Sequence, residues 1–358
     1  MDQDNKTTFY KGKKVLVTGG AGFIGSNIVS KLTDLGAEVT IGDNLSSGSI
    51  NNVFRVWKER DISYTKTKYG YETDNKHKFV LVNFEELKDT VKVLKDHEIV
   101  FHLAANIGGR GGRGYIDTHP ADCCEGFSIN QNVFKACQLT GVDRVQFSSS
   151  ACVYPTELQS EYGSNYLLKE EDAFKNEWGN ADKEYGWAKL MGEQMLKAYY
   201  EQYGLKGSSC RYVTAFGPWE NDTHAIIALI RRAVEKKDPY LIWGTGKQDR
   251  DFTYVEDIVS GSLAACEHLT KGEAINLGTA KRYVIDDVVK MIFDILGWEP
   301  KEIFHDVSKP EGVVTRALDN KLAKELTGWE PKFSFKEGLE KTIEWFIDER
   351  PESVEIIK

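Results

Sequence analysis

No apolar run in this chain approaches the roughly 20 residues that span a bilayer, and Met1 to Thr8 lack the apolar core of a secretory leader. Basic charge is scarce as well. A net charge of −9 and a pI near 5.5 argue against a nucleic-acid partner, whose phosphates call for a basic face. The six cysteines, at 123, 124, 137, 152, 210 and 266, form no Cys-x-x-Cys pair and have no histidines at zinc spacing. Neither a metal site nor a disulfide framework is therefore expected. Five of them read as small buried hydrophobes, and Cys152 is the exception. There is no internal repeat and no low-complexity tail. The expectation is a cytoplasmic protein with no membrane and no metal.

The chain does have an ordinary globular composition, 41% hydrophobic and 28% charged, over 358 residues, enough for one or two domains. Its organising stretch is Lys14-Val-Leu-Val-Thr-Gly-Gly-Ala-Gly-Phe-Ile-Gly25, a β-branched run ending in Gly19, Gly22 and Gly25, followed by helical spacing from Ile28 to Leu35. Strand, tight turn and helix place bare N–H groups where a pyrophosphate binds, with Gly22 at closest approach and Phe23 and Ile24 beside it. A second strand, Glu38-Val-Thr-Ile-Gly-Asp43, ends on a carboxylate suited to ribose hydroxyls and hostile to a 2′-phosphate. NAD is expected rather than NADP.

Further strands are expected at Phe79–Val82, Glu98–Ala105 and Val145–Ser150, alternating with helices over 87–94, 121–139 and 182–203. This is a parallel α/β pattern. The charged region to about Lys78 shows little periodicity and reads as a surface connection. Asn106 to Tyr115 carries five glycines and two arginines, and reads as a substrate loop with Gly108, Gly109 and Arg110 as contacts. Beyond Trp219 shorter helices and strands suggest a smaller domain woven back into the first.

Tyr185-Gly-Trp-Ala-Lys189 sets a phenol and an ammonium one helical turn apart, an arrangement expected to lower the phenol's pKa for proton exchange with a sugar hydroxyl. Upstream, Ser148-Ser-Ser-Ala-Cys-Val-Tyr-Pro155 offers a hydroxyl, Ser150, at the end of the fifth strand. With the glycine turn, these motifs resemble the extended short-chain dehydrogenases/reductases of the NAD-dependent sugar-nucleotide epimerase/dehydratase family, from about Lys11 to Phe346. That resemblance implies a Rossmann-type doubly wound parallel sheet with a smaller, interleaved C-terminal α/β substrate domain. The NAD-binding part would be 11–214 with 251–278 returning to it, and the substrate-binding part 215–250 and 279–358. It implies a Ser150, Tyr185 and Lys189 triad, with Lys189 also on the nicotinamide ribose. Asn44, Asn83 and Ala104 join the cofactor contacts, Thr214 the substrate contacts, and Arg250 and Arg316 the diphosphate. A homodimer is a family expectation.

Subfamily features narrow the reading. The 4,6-dehydratases carry Asp-Glu where this chain has Ala151-Cys152, and uronic-acid decarboxylases a glutamate at Cys152. A cysteine there resembles GDP-mannose 3,5-epimerases and GDP-fucose synthases, which pair it with a second base. His224, ahead of an apolar helix, matches the histidine of the fucose synthases, whereas the mannose epimerases have a lysine there. Asn83 and Thr214 depart from the usual aspartate and asparagine. The implied activity is epimerisation at C3 and/or C5 of a nucleotide sugar, GDP-linked by resemblance, through a transient 4-keto sugar. The alternatives are a 4-epimerase using hydride transfer alone, a keto-sugar epimerase/reductase and a non-catalytic NAD-binding scaffold.

Overall fold

The computed structural model describes residues 8–105, 112–174 and 181–349. Gly108, Gly109 and Arg110 lie outside them. The strands in chain order are β1 (Lys14–Thr18), β2 (Glu38–Asp43), β3 (Tyr64–Thr67), β4 (Gly70–Thr73), β5 (Lys78–Leu81), β6 (Ile99–His102), β7 (Arg144–Ser150), β8 (Lys206–Tyr212), β9 (Thr214–Phe216), β10 (Tyr240–Trp243), β11 (Asp249–Arg250), β12 (Phe252–Tyr254), β13 (Glu273–Leu277), β14 (Tyr283–Val284) and β15 (Ile303–Asp306). Nine of them form one sheet in the order β13-β8-β7-β6-β1-β2-β5-β4-β3. From β13 to β5 every pairing is parallel.

Alternation on the buried strands divides the core. Val15 and Val17 of β1 face one layer while Leu16, between them, faces the other. The first layer holds α1 (Phe23–Asp34) and α2 (Ile50–Lys58), and the second α3 (Leu87–Leu94). The sequence runs β1, β2, β5 outward in one direction and then returns to the other side of β1 with β6. That reversal leaves a crevice at the carboxyl ends of β1 and β6, the place where such sheets take their ligands.

Residues 64–73 overturn the expected plain surface connection. They form a hairpin, β3 with β4, whose antiparallel pairing extends the sheet edge beyond β5. Phe54 of α2 stacks on Tyr64 at 4.6 Å between ring centroids and meets Tyr71 edge-on at 5.0 Å. These aromatic contacts anchor a hairpin whose backbone is largely solvated on both faces, which is why it carries no apolar alternation.

The remaining helices follow as α4 (Gly112–Thr118), α5 (Pro120–Thr140), α6 (Lys183–Tyr203), α7 (Ala225–Val234), α8 (Val255–His268), α9 (Ile285–Leu296), α10 (Lys321–Thr327) and α11 (Phe335–Glu349). α5 packs along α6 over the second layer, whereas α8 packs against α1 on the first. β9 pairs with β12, β10 with β15 and β11 with β14 in three small two-stranded sheets, and β9, β10, β11 and β12 with α7 and the start of α9 supply the wall facing the large sheet's crevice.

Candidate active site

The turn after β1 shows why three glycines are spaced as they are. Gly19 has φ +68°, in the left-handed region. A Cβ on Gly25 would stand 2.2 Å from the Gly19 carbonyl oxygen, so α1 lies this close to the turn only without a side chain. Gly22 differs, since a Cβ there would meet only the Gly19 oxygen, at 3.2 Å. The protein's own packing demands glycine far less at Gly22 than at Gly25. The free space lies at the N-terminus of α1, where no side chain caps the first N–H groups, a cradle that fits a pyrophosphate.

Asp43 closes β2 beside this turn. Its Oδ2 accepts from the Ala21 N–H at 3.0 Å and its Oδ1 from the Leu45 N–H at 2.8 Å. Burial pushes the carboxyl's pKa up, and these backbone donors oppose the rise. Each oxygen keeps acceptor capacity for a ribose hydroxyl. Asn44 and Asn83 are exposed nearby, with Asn44 accepting from Ser46 N–H at 3.0 Å and Asn83 from Glu85 N–H at 3.2 Å. Ala104 follows β6, its backbone nitrogen 2.9 Å from where a Gly19 Cβ would be. The bare cradle and the acceptor carboxylate fit NAD.

At the end of β7 the chain turns sharply, because Ser150 Oγ accepts from the Cys152 N–H at 3.1 Å. α6 lies against this turn. The Asp182 N–H donates to the Cys152 carbonyl at 2.7 Å, and a Cβ on Gly186 would stand 2.1 Å from that same oxygen. Gly186→Ala is therefore expected to push the Cys152 turn away from Tyr185, lowering kcat at least about tenfold for even a small misplacement while NAD still binds. Steady-state kinetics with NAD titration checks this.

Tyr185 faces Ser150, but its acidity differs from the expectation. Burial pushes the phenol's pKa up, and the bond with Ser150 only partly offsets this. Lys189 does share the helix face, yet its Nζ donates to the Ser148 carbonyl at 2.7 Å and lies 5.7 Å from the centre of the Tyr185 ring. A carbonyl has taken the ammonium that spacing alone assigned to the phenol. Burial lowers the Lys189 pKa to about 8, with Cys152 and Glu193 opposing.

Two buried networks set this helix in place. In the first, Thr18 Oγ1 meets His102 Nδ1 at 2.9 Å and accepts from the Leu103 and Ala104 N–H groups, both at 3.1 Å. With Nδ1 as acceptor, His102 Nε2 donates to Asn130 Oδ1 at 3.0 Å, and Asn130 donates onward to the Ala188 carbonyl at 3.1 Å. Burial, and then the charge of Lys189, push the His102 pKa down to about 3, so the ring stays neutral. In the second, Arg211 of β8 holds Glu193 of α6 through two bonds of 2.9 and 2.7 Å. Ser149 donates to the same carboxylate at 2.5 Å, and Arg211 also donates to Tyr154 OH at 3.1 Å.

Across the crevice, Phe23, Ile24, Ser150, Cys152, Tyr185, Thr214, His224, Arg250 and Arg316 line one cleft of about 1050 Å³. The structure thus brings nine of the expected residues together in one cleft, while Lys189 is buried. His224 stands immediately before α7, yet its side chain does not cap the helix. Instead its Nδ1 donates to Glu220 Oε1 at 2.9 Å. Arg250 is unevenly compensated. Burial, and after it the neighbouring Arg316 charge, lower its pKa to about 10, so an anion in the cleft would relieve it. Arg316 is already engaged. It donates to Cys152 Sγ at 3.4 Å, to Asp182 at 2.9 Å and to Gln159, and Asp182 also takes two bonds from Arg113, at 2.7 and 2.9 Å.

Sequence reasoning missed Arg113, Asp182, Glu220, Arg231 and Arg232, all in the cleft wall. Arg231 and Arg232 sit about two turns along α7 from His224, a spacing that signals a shared face. Asp182 and Glu220 left no such signal, because their partners are distant in sequence or hidden in a turn.

Residues 15–278 match the model of the NAD dependent epimerase/dehydratase family. GDP-mannose 3,5-epimerase 1 of Oryza sativa subsp. indica is 32% identical over 345 residues, 94% of this chain and 82% of that protein. GDP-L-fucose synthase of Sinorhizobium fredii is 28% identical over 345 residues, 94% of this chain and 96% of its own. Among solved structures, UDP-glucose 4-epimerase of Thermotoga maritima with UDP-glucose superposes with a TM-score of 0.78 at 27% identity, covering 94% of this chain and 99% of that one.

Proposed function

The chain belongs to the NAD-dependent epimerase/dehydratase family, and from that premise we propose that it is a nucleotide-sugar epimerase inverting C3, C5 or both through a transient ketone at C4. GDP-sugars are the favoured substrates. The observation that carries this reading is the presence of the Cys152 thiol and the His224 imidazole in one cleft with Ser150 and Tyr185. A sugar C–H is too weakly acidic to lose its proton directly, but a C4 ketone stabilises the enolate formed by deprotonation at C3 or C5.

Bound NAD would accept and return the C4 hydride, and its oxidised ring would add positive charge to the site. Ser150 and Tyr185 take and give back the C4 hydroxyl proton. Lys189 braces the end of β7 through Ser148 and would hold the nicotinamide ribose. Arg250, with Arg231 and Arg232, meets the diphosphate. Cys152 and His224 move protons at the neighbouring carbons. Similarity to GDP-mannose 3,5-epimerase at 32% identity supports this assignment. Asp43 supports it too, because a preference for NAD suits a cofactor restored within each turnover.

The test is turnover of GDP-mannose and other GDP- and UDP-sugars in deuterated water, with exchanged carbons located by NMR. Deuterium is expected at C3 or C5, and Cys152→Ala is expected to lower its uptake by about 10²-fold or more. Full uptake in that variant would sink the reading. The superposable UDP-glucose 4-epimerase favours a second reading, in which C4 inverts, hydride transfer suffices and no solvent deuterium enters the sugar.

A further inference from the structure

Glu220 is 5% exposed, yet it lines the cleft. Its Oε1 accepts from His224 Nδ1 at 2.9 Å, while its Oε2 has no hydrogen-bond partner among the described residues. A carboxylate buried with one oxygen bare is costly unless a cation stands beside it. Burial pushes the carboxyl's pKa up, and the bond and charge of His224, helped by the Gly217 backbone, work against that rise in favour of ionisation. The imidazole gains in return. Committing Nδ1 to a carboxylate fixes the plane of the ring and leaves Nε2 for the cleft that His224 lines.

We propose that Glu220 is the positioning residue of the His224 acid, orienting the imidazole and keeping its Nε2 proton in place until substrate takes it. The inference rests on the reading of His224 as the second acid–base group. In the step it serves, Cys152 sulfur takes the proton as one C–H bond breaks, and the electron pair stays on the sugar as an enolate. A new C–H bond then forms on the opposite face with the proton from Nε2, and solvent resets both groups.

The electrostatics agree with the geometry. Burial works against a charged imidazole, but the hydrogen bond and the charge of Glu220 outweigh it, so the His224 pKa is raised. Asp222, Arg231 and Arg232 on the flanking segments, and Arg250, Arg316, Cys152 and Tyr185 across the cleft, also face this space, yet among the described residues Glu220 alone shifts the ring. The sign follows. A raised pKa keeps the acid form present to higher pH, and removing the carboxylate's charge lets it go at lower pH.

The experiment is an NMR titration of histidine-labelled protein with NAD bound, in which the His224 signal is identified by its loss in His224→Gln. In the unaltered protein its midpoint is expected above the ordinary 6.5. Glu220→Gln keeps an acceptor for Nδ1 but removes the charge, and is expected to lower the midpoint by about one pH unit, a tenfold change in proton affinity. The pH profile of deuterium uptake into GDP-mannose should move with it, and Glu220→Asp should recover part of the shift. A midpoint at or below 6.5 in the unaltered protein, or one unmoved in Glu220→Gln, overturns the proposal. Deuterium uptake with an unmoved midpoint discards Glu220 alone. No uptake from any nucleotide sugar, beside a shifted midpoint, discards the catalytic role of His224 instead.

Discussion

Tyr185→Phe is expected to lower turnover by about 10²–10⁴-fold with NAD affinity nearly unchanged, as measured by steady-state kinetics and direct cofactor titration. The substitution removes one oxygen from a ring that already fits its site, so packing survives and the proton path does not. Because burial holds the phenol's pKa high, Tyr185 rests protonated and gives up its proton only when positive charge gathers around it. The Lys189 ammonium, held by the Ser148 carbonyl, lies 5.7 Å from the ring centre and adds to that charge only as the site reacts, and burial lowers its pKa to about 8. A lowered lysine pKa means the cation is present below about pH 8 and lost above it. Turnover of the unaltered enzyme should therefore fall as pH rises through that value. A flat profile to pH 10, or a Phe variant within about threefold of the parent, would remove Tyr185 and Lys189 from the chemistry.

Glu193→Gln should have the largest effect on stability, about 3–5 kcal/mol in unfolding free energy by chemical denaturation. Arg211 and Glu193 are 1% and 2% exposed, so loss of the carboxylate's charge strands a guanidinium where water cannot reach it. The pair is held through both carboxylate oxygens, and Ser149 and Tyr154 share its bonds. Its removal thus loosens the strand end that carries Ser150 as well as the helix that carries Tyr185. The double variant Glu193→Leu with Arg211→Met, which strands no charge, is expected to recover much of the loss. A single variant as stable as the parent would show that the pair is not bound as tightly as its geometry indicates.

Short-range spacing carried most of what the sequence revealed. The turn through Gly19, Gly22 and Gly25, Asp43 at the end of β2, and Tyr185 one helical turn before Lys189 are patterns within one or two elements, and each lies where it was expected. The hairpin at 64–73 was hidden because its strands are solvated on both faces and rely on Phe54 of another element. Tyr185's acidity was misjudged because a carbonyl outside the helix, that of Ser148, captures Lys189. Arg316 read as a phosphate ligand. Its bonds to Cys152, Asp182 and Gln159 join positions up to 164 residues apart, and no local pattern encodes such a set. Glu220 is the opposite case, four residues from His224 and yet unmarked, since it lies outside any helix, where a spacing of four carries no expectation of contact.

The bonds from Thr18 through His102 and Asn130 to Ala188 also bear on how the chain folds. They join residues 84, 28 and 58 positions apart, so each closes a long loop before it contributes anything. The glycine turn is local by comparison, an element of the first βαβ unit. Its distance from Tyr185 depends on β1, β6 and the α5–α6 pair being docked together. A chain stopped short of Ala188 would carry the whole nucleotide-binding motif without a defined catalytic geometry. Cofactor affinity and catalytic competence are in this sense acquired at different stages of assembly, and the neutral ring of His102 is the joint between them.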